Sequence, residues 1–265
     1  MASEAFDYLS RYYGAYDEDA RLLSKHGQVE FLTTMRYITR YLSPQMHILE
    51  IGAGTGRYSH TLARKGYSVS AVELIPRNIE IFQANTAPGE DIRVVQGNAT
   101  DLSKCKDDAF DMTLLLGPMY HLFTVDEQKQ ALSEALRVTK ENGLLFVAYC
   151  MSDASILNFG FRNGNIFSLI EKGMLDPVTF RAFSSPEDLF ELYRKTDIDA
   201  LLNGLPVKRL HFVAADLYTN YFRETIDAMD DDTFAVYLSY HFSVCEREDM
   251  TGITHHSLDI LKKLS

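Results

Sequence analysis

The sequence predicts an α/β fold: a doubly wound, mostly parallel seven-stranded sheet with helices on both faces, preceded by N-terminal helices and carrying a helical lid insertion. Three observations predict it. Short apolar segments alternate with helical stretches from residue 47 to 149. A glycine-rich turn follows the first apolar segment, and a carboxylate, Glu73, closes the second.

The elements justify this in order. Residues 4–42 read as helices with a turn near Gly14, because Phe31, Met35, Ile38 and Leu42 recur at helical spacing and Pro44 stops the run. HILEI (47–51) is a short apolar strand, and TGRYSHTLARKG (55–66) is a helix that ends at a glycine. SVSAV (68–72) is the second strand. PRNIEIFQAN (76–85) opens with proline in its first turn, where the missing N–H costs nothing, and reads as a helix. DIRVV (91–95) and FDMTLLL (110–116) are the third and fourth strands. Thr124 and Glu127 form a capping box that opens a helix running to about Lys140. LLFVAY (144–149), after Asn142-Gly143, is the fifth strand.

Beyond Cys150 the alternation stops. Residues 151–184 combine Gly160, Gly164, Gly173 and Pro177 with many apolar side chains and read as an insertion. Ser185-Pro186 starts another helix, VKRLHFV (207–213) is a strand, Leu217 to about Cys245 is helical, and THHSLDIL (254–261) is the last strand.

Composition narrows the function. Of 265 residues, 46% are hydrophobic and 24% charged, an ordinary globular balance. A net charge of -11 without a Lys/Arg run argues against nucleic acid or an anionic membrane as partner, since phosphate contacts need clustered cations. The N-terminal stretch is polar and acidic, unlike a signal peptide, and no apolar run reaches transmembrane length. Cys105, Cys150 and Cys245 are widely spaced and form no CxxC, which suits a reducing, cytoplasmic setting. His255 and His256 are adjacent. On a strand they would point to opposite faces and make poor partners for one metal, so no metal site is expected.

The glycine turn carries the chemistry. In ILEIGAGTGR, Gly52, Gly54 and Gly56 stand after the first strand at the mouth of a helix, where glycine lets a ligand approach the backbone. A dinucleotide fingerprint would place its third glycine at 57, where Arg57 stands. Glu73 suits a carboxylate that accepts hydrogen bonds from ribose hydroxyls, and a nicotinamide oxidoreductase would carry it too. The G-x-G-x-G order is therefore the discriminating part.

With these residues in hand, the sequence resembles the class I S-adenosylmethionine-dependent methyltransferases, which have a Rossmann-like core. E-x-G-x-G-x-G (50–56), Glu73, QGNATDL (96–102), FDMTLLLG (110–117) and RVTKENGLLFVAY (137–149) fall in that family's order, over roughly residues 45–150. The resemblance implies S-adenosyl-L-methionine as cofactor, with Glu50, Gly52, Ala53 and Gly54 around its methionine part. Glu73 would hold the ribose and Leu74 would lie against the adenine. Asn98, where many relatives carry Asp, would meet the adenine edge together with Ala99. Leu116 would offer its carbonyl to the cofactor's amino group, and Thr55 and Arg57 would reach its carboxylate. Tyr16 would close over the site from the N-terminal segment. The chain then divides, as one methyltransferase domain, into a helical cover (1–44), a cofactor-binding half (45–150), a lid (151–184) and a completion of the sheet (185–265).

For the acceptor, Gly117 in Leu116-Gly117-Pro118-Met119-Tyr120 stands where some nitrogen methyltransferases place an amide or acid, and glycine has no side chain to hold an amine. This favours a small-molecule acceptor. Tyr120 and His121 are the candidate catalytic residues, Tyr120 to orient the acceptor and His121 to take its proton. Tyr12, Tyr13, Tyr16, Phe159, Phe161, Phe167 and Phe180 supply aromatic cover. Two rival readings are the nicotinamide oxidoreductase and a non-catalytic module that binds adenosylmethionine.

Overall fold

The computed structural model describes residues 2–15 and 23–265. Helices of eight residues or more are numbered α1 (Ala2–Ala15), α2 (Lys25–Tyr41), α3 (Arg57–Arg64), α4 (Pro76–Asn85), α5 (Val125–Val138), α6 (Lys195–Leu202) and α7 (Asp231–Val244). The strands are β1 (His47–Ile51), β2 (Ser68–Glu73), β3 (Ile92–Gln96), β4 (Phe110–Leu115), β5 (Thr139–Cys150), β6 (Val207–Ala214) and β7 (His256–Lys263).

They form one seven-stranded sheet in the order β3-β2-β1-β4-β5-β7-β6. The first five pair in parallel, and β7 runs antiparallel to both β5 and β6. The expected mostly parallel, doubly wound sheet is the observed one. Strands buried on both faces need continuous apolar side chains, and β1 and β4 supply them: Ile48, Leu49, Ile51, Met112, Leu114 and Leu115 are all fully buried. One apolar cluster joins Leu49, Leu115 and Val147 to Leu132 and Ala135 of α5. A second joins Ile48, Leu114 and Phe146 to Ile38 of α2 and Leu62 of α3.

The local signals act as expected at several ends. Thr124 accepts from the Glu127 N–H and Glu127 returns the bond, closing the capping box of α5. Pro76 occupies the first turn of α4. Elsewhere the boundaries move. β5 begins at Thr139, ahead of Asn142-Gly143, because those residues bulge within the strand: Asn142 takes a φ of 60° and the pairing with β4 skips there. The helix expected from Ser185 is a single 3₁₀ turn, Pro186–Asp188, with the true helix starting at Lys195. The helix expected from Leu217 to Cys245 is broken, because Asp230 caps α7 by accepting from Thr233 N, and a cap ends what precedes it. Residues 151–184 hold a π-helical stretch, Ile156–Arg162, and a short helix, Ile166–Glu171. No helix among the described residues is long and apolar enough to cross a membrane.

Candidate active site

The C-terminal ends of β1, β2, β3 and β4 meet where the strand order reverses, the usual ligand crevice of such sheets. Gly52 and Ala53 donate their N–H groups to Val72 O at 2.8 and 3.2 Å, folding the glycine turn over β2. Gly52 holds a φ of 73°, and a Cβ there would lie 2.6 Å from the Pro118 ring. Glycine is thus required twice over, by backbone and by space.

Glu73 ties the crevice together. One carboxylate oxygen accepts from Gly54 N at 2.8 Å, and the other accepts from Ile75 N at 2.9 Å and Asn78 Nδ2 at 3.2 Å. Burial raises its carboxyl above the usual range, while these donors pull it back. Glu50, also buried, accepts from Ser59 N at 3.0 Å and from the Ser59 hydroxyl, pinning α3. Burial pushes its carboxyl up to about 8. The Arg57 guanidinium lies 4.6 Å from the centre of the Phe31 ring. Asn98 Oδ1 accepts from Thr100 N at 3.1 Å, closing a tight turn. Leu116 O accepts from the Tyr120 hydroxyl at 2.9 Å.

A cavity of about 1070 Å³ occupies the crevice. Glu50, residues 52–55, Arg57, Glu73, Leu74, Asn98, Ala99 and Leu116 all line it, as do Tyr120 and His121. Tyr16 lies outside the described residues. Sequence reasoning missed Asn78, which faces Glu73 from α4, and Phe6 and Leu9, which close the cavity from α1. No local motif marks them; each arrives through tertiary packing.

The catalytic pair takes a different form from the one expected. His121 Nδ1 bonds Leu189 O at 2.8 Å and its Nε2 bonds the Tyr13 hydroxyl at 2.8 Å. A carbonyl can only accept, so Nδ1 carries the proton and Nε2 accepts from Tyr13. Burial lowers the ring to about 4. His121 is therefore a neutral clamp between α1 and the loop at 189, which corrects the expectation of a ring free to take a proton.

A second cavity of about 850 Å³ adjoins the first, and Tyr13 and Tyr120 line both. Its walls include Tyr12, Phe159, Phe183 and Phe190, with Glu30, Asp216, His255 and His256 among its polar groups. Phe161, Phe167 and Phe180 are not in that lining and stand exposed. His255 precedes β7 in a bend while His256 begins the strand, so the strand rule does not apply to the pair. Both rings face the cavity, with centres 5.1 Å apart. The premise that set them on opposite faces is thereby corrected.

Residues 49–147 match the family described as "Methyltransferase domain". Over that stretch, somewhat more than a third of the chain, the protein is similar to S-adenosylmethionine-dependent methyltransferases. A demethylmenaquinone methyltransferase of Clavibacter sepedonicus is 32% identical to it over 148 residues, 56% of this chain and 57% of that protein. The chain thus spans little more than half of that relative's length. A probable ribosomal RNA small subunit methyltransferase A of Methanosarcina acetivorans is 40% identical over 74 residues, 26% of this chain and 28% of that one. The crystal structure of the N-methyltransferase NodS from Bradyrhizobium japonicum WM9, in complex with S-adenosyl-l-homocysteine, superposes with a TM-score of 0.61. It is 12% identical and covers 99% of this chain and 100% of that one, a likeness of fold. The 151–184 insertion lines the second cavity and does not reach the first, whereas α1 lines both.

Proposed function

We propose that this protein transfers a methyl group in line from S-adenosylmethionine, held in the first cavity, to a small-molecule acceptor held in the second. The observation that carries the reading is the pair of cavities sharing Tyr13 and Tyr120, one lined by the glycine turn and Glu73, the other by aromatic and apolar side chains.

The residues present fit the cofactor. The turn at 52–55 lines the cavity, with Gly52 packed against the Pro118 ring where a Cβ would not fit. Glu73 keeps one acceptor site on Oε2 beyond its three N–H partners for a ribose hydroxyl, and the Asn98 Oδ1 can accept from an adenine amino group. Leu116 O keeps one lone pair beside the Tyr120 bond for an ammonium. Glu50 fixes α3 through Ser59, and Arg57 lines the cavity as the cation for a carboxylate. When bound, the sulfonium supplies an activated methyl group. The chain's task is then to align the acceptor and exclude water. Tyr120 holds the boundary between the cavities, and His121 positions α1 and the 189 loop without exchanging a proton.

A small molecule suits the second cavity better than a nucleic acid. The cavity is roofed by 151–184, and the net charge of -11 repels phosphates. The cytoplasm fits the three free cysteines. Calorimetry with adenosylhomocysteine and NAD tests the cofactor; binding of NAD alone would overturn it. Labelled adenosylmethionine offered with reduced quinones, simple phenols, amines and ribosomal RNA tests the acceptor. Label is expected in an extractable small product, and label in RNA alone would overturn the acceptor class.

A further inference from the structure

We infer that His255, His256 and Asp216 form a binding site for a divalent d-block cation of the zinc type in the wall of the second cavity. The potential ligand atoms of the three lie within 4.8 Å of one another. Glu30, on α2, adds a second carboxylate, with Oε2 3.5 Å from His256 Nδ1.

The sequence brings these groups together through the turn before β7. Asp216, two residues beyond β6, is 1% exposed. Its Oδ1 accepts from Thr254 Oγ1 at 2.7 Å and from the backbone N–H groups of His255 and His256 at 2.9 and 3.0 Å. Those bonds fix the carboxylate's direction, as partners outside the ligand set commonly do for metal-binding carboxylates. Its Oδ2 accepts from Asn220 Nδ2 and from His256 Nδ1, the latter at 2.7 Å.

An Asp–His hydrogen bond accounts for Asp216 and His256 without any ion. It does not account for His255. That ring lines the cavity beside its neighbour, and its Nδ1 is buried with no hydrogen-bond partner. A buried polar atom left without a partner is destabilising, and a cation shared with Asp216 and His256 would satisfy it. Binding moves the proton of His256 Nδ1 to solvent and gives that lone pair to the ion. Two imidazoles and a carboxylate select zinc, cobalt or nickel over magnesium and calcium, which favour all-oxygen sets. Glu30 or water completes the shell, so one position can face the cavity.

A use follows from the reading of that cavity as the acceptor site, on which this step alone rests. A cation there would hold an acceptor hydroxyl and ease its deprotonation, a task His121 does not perform.

The full chain, stripped with chelator, is titrated with zinc sulfate by calorimetry and with cobalt chloride by visible absorption. About one equivalent is expected, with a cobalt spectrum of low coordination number. His255→Ala, which removes no hydrogen bond of the Asp216 pair, should weaken zinc at least tenfold while adenosylhomocysteine affinity and melting temperature stay unchanged. His256→Asn should also weaken it, with circular dichroism as the check on folding. Absence of stoichiometric binding, or equal affinity in His255→Ala, overturns the site; equal affinity means zinc sits on some other histidine. Zinc binding without adenosylhomocysteine binding would leave the site standing and remove the proposed function instead.

Discussion

At the scale of single residues, the crevice depends on groups that hold the glycine turn. Glu73 receives three N–H donors from the chain, so its carboxylate is set in place before any ribose arrives. Bonds to a charged acceptor are worth about 1.5–3 kcal/mol, so Glu73→Ala should weaken adenosylhomocysteine at least tenfold by calorimetry while the fold persists. Full affinity in a folded variant would take Glu73 out of the site. Gly52 offers a steric counterpart. With a φ of 73° and Pro118 2.6 Å from any Cβ, Gly52→Ala must push the Pro118 turn off the glycine turn. The same loss of affinity is expected, now with a fall in melting temperature as well, because a strained backbone costs of order 1–3 kcal/mol. A variant that keeps both values would show that the two turns part easily. The place of both residues in the crevice was legible in the sequence because it is set locally: a strand end, a turn, a spacing. His121 was legible as a site residue but not as a clamp, since its partners Tyr13 and Leu189 are far away in the chain.

At the scale of elements, agreement was best where one residue decides a boundary. Proline sets the start of α4, and Thr124 with Glu127 sets the start of α5. It was worst where two signals compete. Apolar residues recur through Leu217–Cys245 and read as one helix, yet Asp230 and Thr233 make a cap that overrides the pattern. The second cavity had no local signal, because Glu30, Asp216 and His256 come from α2, the end of β6 and the start of β7. The packing of α2 on α7 shows another such pairing. Thr33 Oγ1 donates to Val29 O, so His241 must donate from Nε2 to Thr33, and its buried Nδ1 has no partner. Burial lowers this ring to about 4. The folded pKa lies below the unfolded value near 6.5, so the unfolded chain binds more protons in that window and stability falls as pH falls through it. The contribution is about 2 kcal/mol between about pH 7.5 and about pH 5. Denaturant unfolding of His241→Gln, which keeps an N–H for Thr33, should show a shallower loss over that range. Parallel pH profiles would mean that this ring does not stay neutral in the fold.

At the scale of the whole molecule, α1 lines both cavities and the 151–184 insertion only the second, and this changes what each should feel. Helix α1 lines the first cavity through Phe6, Leu9 and Tyr13, and the 151–184 insertion lines only the second, through Ile156, Phe159 and Phe183 among others. The ties of α1 to the body include the Tyr13–His121 bond and edge-to-face contacts such as Tyr12 with Phe190 at 5.8 Å. A hydrogen bond contributes about 0.5–1.5 kcal/mol net, so α1 should open more readily than the sheet. A ligand that contacts only the closed form adds about 2.7 kcal/mol at a hundredfold excess over its dissociation constant, or roughly a hundredfold in exchange protection. Adenosylhomocysteine alone should therefore slow amide exchange in residues 5–15 and leave 151–184 as it was. The insertion should slow only when an acceptor joins it, because its contacts are with the second cavity. Tyr13→Phe, which removes the hydroxyl bonded to His121, should speed exchange in α1 without the ligand and leave β1 and β4 unchanged. Equal slowing of both segments by adenosylhomocysteine alone would restore a single lid over the cofactor. No slowing in α1 would mean that the helix is a fixed wall, and access to the first cavity would then have to pass through the second.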